Sequence, residues 1–494
     1  MLKDPVWRSR VLGVGAAVSS ALLLFVAGEP VGAGVVAWVA LVPLLVAVLR
    51  EQRAVWSWLY GLVFGIAFFG LHLSWIFIFG WMAWTALTGV LALYLSAATF
   101  VAGFLRRSPF APLLVAGAWG GMEAVRDRWP FGGYPWGTVG TTQASVPGVR
   151  WLAAVVGVYG LTLLVVFANA LVAHRLAHGH WSPRSVAMVG VVLAAFVAAD
   201  AIRYGPPPPG RPLRVLVVQG GVPRPARPDQ RDVILDTHIR LTRQLFARSN
   251  PRPDLVVWPE DSIGIGVRDT AERDVEALAR SLHTPMLVGR SVLVGEEGFN
   301  NTVEHITADG HRDGVYVKRH PVPFGEYVPI PFFRRFVSTL QEEVPYDLKT
   351  GRVATVFDVD GTKVATPICF ESVFPRDILD FARKGAGLYV ISTNNASFEH
   401  SYAGQQHLAH ARMRALETRQ YVVQDALSGI SATLTPGGRV EHSTRLFTTA
   451  AFVTKVVVRP AHSLYARTGD LFVYVFALAT LAGIAAASSK RTEA

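Results

Sequence analysis

The sequence predicts a polytopic α-helical membrane region of about eight spans, with an α/β domain inserted before the last span. Three observations predict it. Of the 494 residues, 51% are hydrophobic and only 17% charged, where an ordinary soluble protein has about 25% charged residues. Long apolar stretches crowd the first 200 positions and one more lies near the end. Between them, after a proline-rich hinge, short β-like runs alternate with helical ones. The mean hydropathy of +0.33 agrees.

A bilayer core takes about 20 apolar residues in a helix. Such stretches fall near 11–27, 31–49, 55–79, 81–105, 110–125, 151–173 and 185–202, and an eighth at 471–488. The fifth is short and rich in glycine. The first is not read as a cleavable signal peptide, because further spans follow it at once, and no lipobox-like cysteine comes after it. Cationic loop residues set the orientation. Lys3, Arg8, Arg10, Arg50, Arg53, Arg106, Arg107, Arg175, Arg184, Lys490 and Arg491 all fall on one side, which is the expected cytoplasmic side. The opposite loops hold Arg126, Arg128 and Arg150, diluted by Glu123 and Asp127. Both termini are then expected in the cytoplasm and the long segment from about 205 to 468 outside it.

The expected organisation is a transmembrane region over 1–204, a hinge over 205–212, a catalytic domain over 213–468, and a last span with its tail over 469–494. The hinge contains Pro206-Pro207-Pro208-Pro209, which favours an extended spacer. Strand candidates are 215–218, 255–258, 286–289, 364–366 and 388–391; helical patterns run over 230–247, 270–282 and 404–419. Strands interleaved with helices indicate an α/β or layered α+β domain.

The net charge of +11 comes from 47 Lys and Arg against 36 Asp and Glu. The cations are scattered, with no basic run carrying interleaved aromatics, so nucleic acid is set aside as a partner. Cationic loops facing anionic lipid explain the excess more simply. Cys369 is the only cysteine, which rules out an intramolecular disulfide and a multi-cysteine zinc site within the chain. His400, His407 and His410 lack metal-ligand spacing, so no metal and no cofactor is expected. The aromatics Trp75, Phe77, Phe79, Trp81 and Trp84 read as an interfacial belt or a lipid-entry lip, and His72 as a helix–helix hydrogen-bonding residue. Asn300-Asn301-Thr302 and Asn395-Ala396-Ser397 match a glycosylation sequon, a pattern common by chance.

Three segments can carry chemistry. Val256-Val257-Trp258-Pro259-Glu260 places a carboxylate directly after a buried strand. A second segment runs from Lys318 through His320, Phe324 and Glu326 to Pro329. Pro367-Ile368-Cys369-Phe370-Glu371-Ser372 places the thiol where a strand meets a turn. Taken singly, the cysteine reads as a small buried hydrophobe, Glu260 as a helix cap and Lys318 as a solvated lysine. Together they read as one site. A thiol is only a few per cent thiolate at neutral pH and needs a base or a cation; desolvation brings a carboxylate into range as that base.

The Glu–Lys–Cys order and these motifs resemble the nitrilase (carbon–nitrogen hydrolase) superfamily, and the membrane spans narrow the resemblance to the apolipoprotein N-acyltransferase family. It covers nearly the whole chain. Phe131-Gly132-Gly133-Tyr134-Pro135-Trp136, the 411–417 stretch and Tyr465-Ala466-Arg467-Thr468-Gly469-Asp470 are also similar to family segments. The resemblance implies a nitrilase-like αββα sandwich in which Glu260 is the base, Lys318 stabilises the oxyanion, Cys369 is the nucleophile, and Glu326 and Glu371 are supporting residues. It implies a bacterial inner-membrane enzyme without a cofactor. A membrane phospholipid donates an acyl chain to Cys369, and the thioester passes it to the α-amine of a diacylglyceryl-cysteine apolipoprotein. Phe370, Ser397 and Pro228 depart from the family pattern and bear on lipid or acceptor preference. A membrane-tethered amidase or nitrilase, and a catalytically silent scaffold for a partner membrane enzyme, are the alternatives.

Overall fold

A computed structural model describes residues 5–179, 183–204, 208–222, 230–295, 298–330 and 346–492. Part of the hinge (205–207) and Pro228 lie outside them. The chain forms two compact units, one of residues 1–205 with 468–494, the other of 206–467.

In the first unit, six helices are long and apolar enough to cross a membrane: Pro5–Ala27, Ala54–His72, Trp81–Leu105, Val149–His178, Val186–Arg203 and Leu471–Ser489. The expected second and fifth spans are shorter. The second is broken into Gly34–Val36, Ala37–Ala40 and Val42–Arg50, where Pro43 lacks the N–H that a continuous helix requires. Two side chains take the donors left at the break: Asn169 Oδ1 accepts the Leu41 N–H at 2.9 Å, and Ser20 Oγ accepts the Leu44 N–H at 3.0 Å. The fifth, Ala111–Arg126, has 16 residues. Its Gly117 lets the last helix come close, since a Cβ there would meet Thr480 Oγ1 at 2.2 Å. The third expected span stops as a helix at His72 and continues as a 3-10 turn over Ser74–Phe79. His72 stacks on Phe68. Phe77 and Trp81 are exposed, as an interfacial belt requires, while Trp75 is buried and packs on Trp136.

The Phe131–Trp136 loop is held from within this unit. Tyr134 donates its N–H to the Arg126 carbonyl at 2.8 Å, and the Arg126 guanidinium donates to the Trp136 carbonyl. Gly133, at φ 95°, lies so near the Asp127 carbonyl that a Cβ would meet it at 2.0 Å. Arg128 bridges Asp127 at 2.7 Å and Asp470 at 2.8 Å.

The second unit has thirteen strands among its described residues: β1 (Arg211–Gln219), β2 (Leu255–Ile263), β3 (Met286–Val294), β4 (Gly298–Ile306), β5 (Arg312–Val317), β6 (Asp347–Leu348), β7 (Val356–Val359), β8 (Thr362–Ala365), β9 (Leu388–Thr393), β10 (Val422–Ala426), β11 (Ala432–Leu434), β12 (Val440–Ser443) and β13 (Ala450–Val458). One sheet runs β13-β1-β2-β3-β4-β5 with β6 beside β4, the other β12-β11-β10-β9-β8-β7. The two-residue period of the strands sorts their side chains. Leu213, Val215, Val217, Leu255, Val257 and Leu287 enter a core shared with Val364, Leu388, Val390 and Val422 of the other sheet. Their neighbours Leu216, Val218, Val256, Trp258, Met286 and Val288 pack instead with Leu235 and Phe246 of the Arg231–Arg248 helix and Val275 and Leu278 of the Ala271–Leu282 helix. On the far sheet, Ile378 and Phe381 of Pro375–Arg383, with Ala411 and Ala415 of Ala403–Thr418, close the sandwich. Layers therefore run helix, sheet, sheet, helix.

Candidate active site

Glu260 sits within β2, just past its apolar run, and is buried. Three donors surround its carboxylate. Asn301 Nδ2 on β4 and Lys318 Nζ, 3.4 Å away, donate to Oε1; the Asn394 N–H, after β9, donates to Oε2 at 2.6 Å. Burial pushes Glu260 up to about 7 against the pull of Lys318, with Glu326 and Asp261 adding to the rise and the Asn301 bond opposing it. A carboxylate balanced near neutrality is a competent general base. The next residue, Asp261, is left-handed at φ 62° and accepts hydrogen bonds from Ser291 Oγ and from Asn394 Nδ2.

Lys318 follows directly on β5 and is wholly buried. Its N–H donates to the Asn301 carbonyl at 2.9 Å, so β4 fixes its backbone as well as Glu260. Nζ donates to Glu326 Oε1 at 2.5 Å, and Glu326 Oε2 accepts the Val322 N–H at 2.8 Å. Burial works against the ammonium, but Glu260, Glu326 and Cys369 outweigh it and hold its pKa well above the ordinary lysine value. Lys318 therefore stays cationic.

Cys369 opens a 3-10 turn (Cys369–Val373) after β8 and adopts a left-handed backbone at φ 50°, a conformation that costs a side-chain-bearing residue energy and clusters at functional sites. It is 9% exposed. Burial, then the charge on Glu260, push the thiol well above its ordinary range, while Lys318 and the Thr393 hydroxyl pull it back. The resting sulfur is a thiol that needs a base.

Glu371 supports this arrangement from beneath. Its Oε2 accepts the Ile368 N–H at 2.6 Å; its Oε1 accepts from Tyr316 Oη at 2.7 Å, the Arg319 N–H at 2.7 Å and the His320 N–H at 3.2 Å. Arg319 in turn pairs with Asp380 at 3.0 Å and His320 with Asp377 at 3.0 Å. Phe370, one of the departures from the family pattern, packs edge-on against Phe374 and His320. Ser397 lies in the short turn Ala396–Phe398.

The chain thus brings Glu260, Lys318 and Glu326 into direct contact, places Cys369 in the field of all three, and sets Glu371 behind them. Sequence reading passed over Asn301, Asn394, Thr393 and His407. Asn301 and Asn395 were visible only as sequon residues; Asn395, the acceptor of its sequon, is buried, which is incompatible with carrying a glycan. Of the three histidines, His400 rests on Phe447, and His407 lies against the Cys369 carbonyl at 3.1 Å. Among the described residues no group of three or more His, Cys, Asp or Glu side chains is placed to hold a metal ion.

Two family models match the chain: the apolipoprotein N-acyltransferase N-terminal domain over residues 20–171 and carbon-nitrogen hydrolase over 215–449. An apolipoprotein N-acyltransferase of Gloeobacter violaceus is 32% identical over 98% of this chain and 95% of its own length. One from Geobacter metallireducens is 31% identical over 95% of this chain and 93% of its own. Among solved structures, an amidase from Nesterenkonia sp. aligns with 53% of this chain and 95% of its own, at 17% identity and a TM-score of 0.37.

Proposed function

The chain belongs to the apolipoprotein N-acyltransferase family of bacterial membrane enzymes, and on that premise we propose that Cys369 carries the acyl group as a thioester, with Glu260 as its base and Lys318 at the oxyanion. The enzyme N-acylates lipoproteins; the acyl donor in this reading is a membrane phospholipid. Glu260 takes the thiol proton as Cys369 attacks the ester carbonyl. The tetrahedral oxyanion forms beside the Lys318 ammonium and a backbone N–H next to Cys369, where fixed positive charge stabilises the transition state. The intermediate then expels the lysophospholipid alkoxide, which recovers the proton from Glu260.

In the second half, the α-amine of the diacylglyceryl-cysteine attacks the thioester, Glu260 takes the amine proton, and the Cys369 thiolate leaves. An α-amine has a pKa of about 7.7–8.0 against about 10.4 for lysine, so the N-terminus is by far the better nucleophile near neutrality. Both substrates hold their acyl chains in the bilayer, which accounts for a soluble catalytic fold built into a membrane chain. The cationic loops support an extracytoplasmic catalytic unit and cytoplasmic termini. Relatives aligned over nearly the whole chain do not favour the tethered amidase or the silent scaffold.

The observation that carries this reading is the buried Lys318 ammonium held between Glu260 and Glu326, in whose field Cys369 lies. Intact mass of the detergent-purified chain after incubation with a defined phospholipid tests it. The expected result is a gain of one acyl chain, absent from Cys369→Ala and discharged by a diacylglyceryl-cysteine peptide. An adduct that water alone discharges, or a Cys369→Ala variant that still transfers acyl groups, overturns it.

A further inference from the structure

Two adjacent carboxylates of β2, Glu260 and Asp261, both reach Asn394, just past the end of β9 in the other sheet, yet the acyl-transfer chemistry uses the first alone. Glu260 Oε2 accepts the Asn394 backbone N–H at 2.6 Å. Asp261 Oδ2 accepts the Asn394 side-chain Nδ2 at 3.0 Å, and Asp261 Oδ1 accepts the hydroxyl of Ser291 on β3. In a regular strand neighbouring side chains point to opposite faces, so this convergence needs an irregularity. β2 supplies one. Its pairing with β3 shifts register between Trp258 and Ile263, and Asp261 is left-handed at φ 62°, a conformation that aspartate adopts more readily than most residues but still at a cost.

The Asn394 amide is held at both ends. Its Oδ1 accepts the Ala396 N–H at 3.1 Å, which belongs to its own turn, and its Nδ2 is held by Asp261. The other two donors to Glu260, Asn301 on β4 and Lys318 directly after β5, come from the same sheet as the base. Of the three donors, the Asn394 N–H is the one whose place depends on how the two sheets meet at the site.

We propose that Asp261 is a positioning residue for the base: braced by Ser291, it clamps the Asn394 side chain from one sheet to the other and so keeps the Asn394 N–H on Glu260 Oε2, a role that rests on Glu260 being the base. The contact and the charge of Asp261 pull in opposite directions. A hydrogen bond accepted by the Glu260 carboxylate favours its ionised form. Burial raises Glu260 most, and the Asp261 charge adds to the rise. The other titratable groups at the base are Lys318 and Glu326 from the segment after β5 and Cys369 from the turn after β8. From β3, β4 and the turn after β9 come the uncharged Ser291, Asn301 and Asn394.

Asp261→Asn and Asp261→Gly separate the clamp from the charge. Both remove the charge, and both accept a left-handed backbone. Asparagine keeps the clamp, since its Oδ1 can accept from Asn394 and its amide can donate to Ser291 Oγ; glycine has no side chain to do either. The readout is single-turnover thioester formation against pH, by the full-length protein in detergent with a defined phospholipid, followed by intact mass. The wild-type rate is expected to rise through about 7. Asp261→Asn moves this limb slightly down in pH. Asp261→Gly places it about one unit above Asp261→Asn, as loss of a charge-assisted hydrogen bond predicts. Below both midpoints the glycine variant is then about tenfold slower, while the plateaus at high pH agree. Asn394→Ala breaks the same contact from the other side and leaves the charge in place, so its limb lies above the wild type; it decides the matter if Asp261→Gly does not fold. Coincident limbs for Asp261→Asn and Asp261→Gly, or an unmoved limb in Asn394→Ala, overturn the clamp alone. A wild type that forms no thioester, or whose rate does not rise through neutrality, overturns the base assignment and the clamp with it.

Discussion

Glu371 accepts the backbone N–H of Arg319 at 2.7 Å, and with its other oxygen it accepts the N–H of Ile368 at 2.6 Å. One carboxylate thus ties the chain just after Lys318 to the chain just before Cys369. All four of its partners are donors, so an acceptor-only side chain is required. Glu371→Gln turns an amide N–H₂ against one of them and leaves a buried donor unpaired, at a cost of about 1–3 kcal/mol. The expected outcome is a thermal midpoint lower by several degrees, with thioester formation slower and phospholipid KM little changed. Scanning calorimetry beside single-turnover acylation checks it; unchanged stability would show that the tie is not needed.

Cys369→Ala and Cys369→Ser are both expected to abolish acyl transfer while leaving membrane insertion intact. The serine hydroxyl ionises far less readily than a thiol, so the base that serves Cys369 does not suffice for it. Glu260→Gln is expected to stop before the thioester, because its amide cannot take a proton. Mass spectrometry of each variant after exposure to phospholipid should show no acyl adduct.

Asn301→Leu separates the base from the nucleophile. Glu260 lies at about 7, so it is protonated and idle below that pH and ionised above it. Single-turnover thioester formation should therefore rise with pH through about 7. Removing Asn301 deletes a hydrogen bond that favours the ionised form. The rising limb then moves to higher pH, by about one unit for a charge-assisted hydrogen bond. Measuring the first half-reaction alone keeps the ionisation of the acceptor amine out of the profile. A limb that stays in place would mean that it belongs to another group.

Four of the five strands read from sequence, β1, β2, β3 and β9, contain continuous apolar runs, such as Val215–Val218 in β1 and Leu388–Ile391 in β9. They lie centrally in their sheets and are covered on both faces, so hydrophobicity alone reveals them. β4 escaped notice because Asn300, Asn301, Thr302, Glu304 and His305 read as a polar loop. Asn301 is buried where it serves Glu260 and Lys318, while Thr302 donates to the Arg290 carbonyl and Glu304 pairs with Arg290 and Arg312. Glu260, Lys318 and Cys369 were legible because each stands in a distinctive local segment. Asn301, Asn394 and His407 were not, since their neighbours in space are 41, 134 and 38 residues away in sequence. The break within the second apolar stretch was not legible for a related reason: the Asn169 and Ser20 side chains that mend it at 41–44 come from other helices.

Lys318→Met tests whether the ammonium holds the site together, performs chemistry, or both. The substitution leaves the buried Glu260 and the half-buried Glu326 with no cation between them. Breaking a buried ion pair from one side costs roughly 3–5 kcal/mol, and the mutual repulsion drives Glu260 further up, away from the range in which it can act as a base. Stability and thioester formation should both fall. Adding Glu326→Gln removes one of the stranded charges, so the Lys318→Met/Glu326→Gln double variant should regain a large part of the lost stability. It should not regain acyl transfer, because the positive charge that faces the oxyanion is still missing. Thermal unfolding and single-turnover acylation of the single and double variants separate the two roles. A double variant that recovers activity together with stability would reduce Lys318 to a counter-ion.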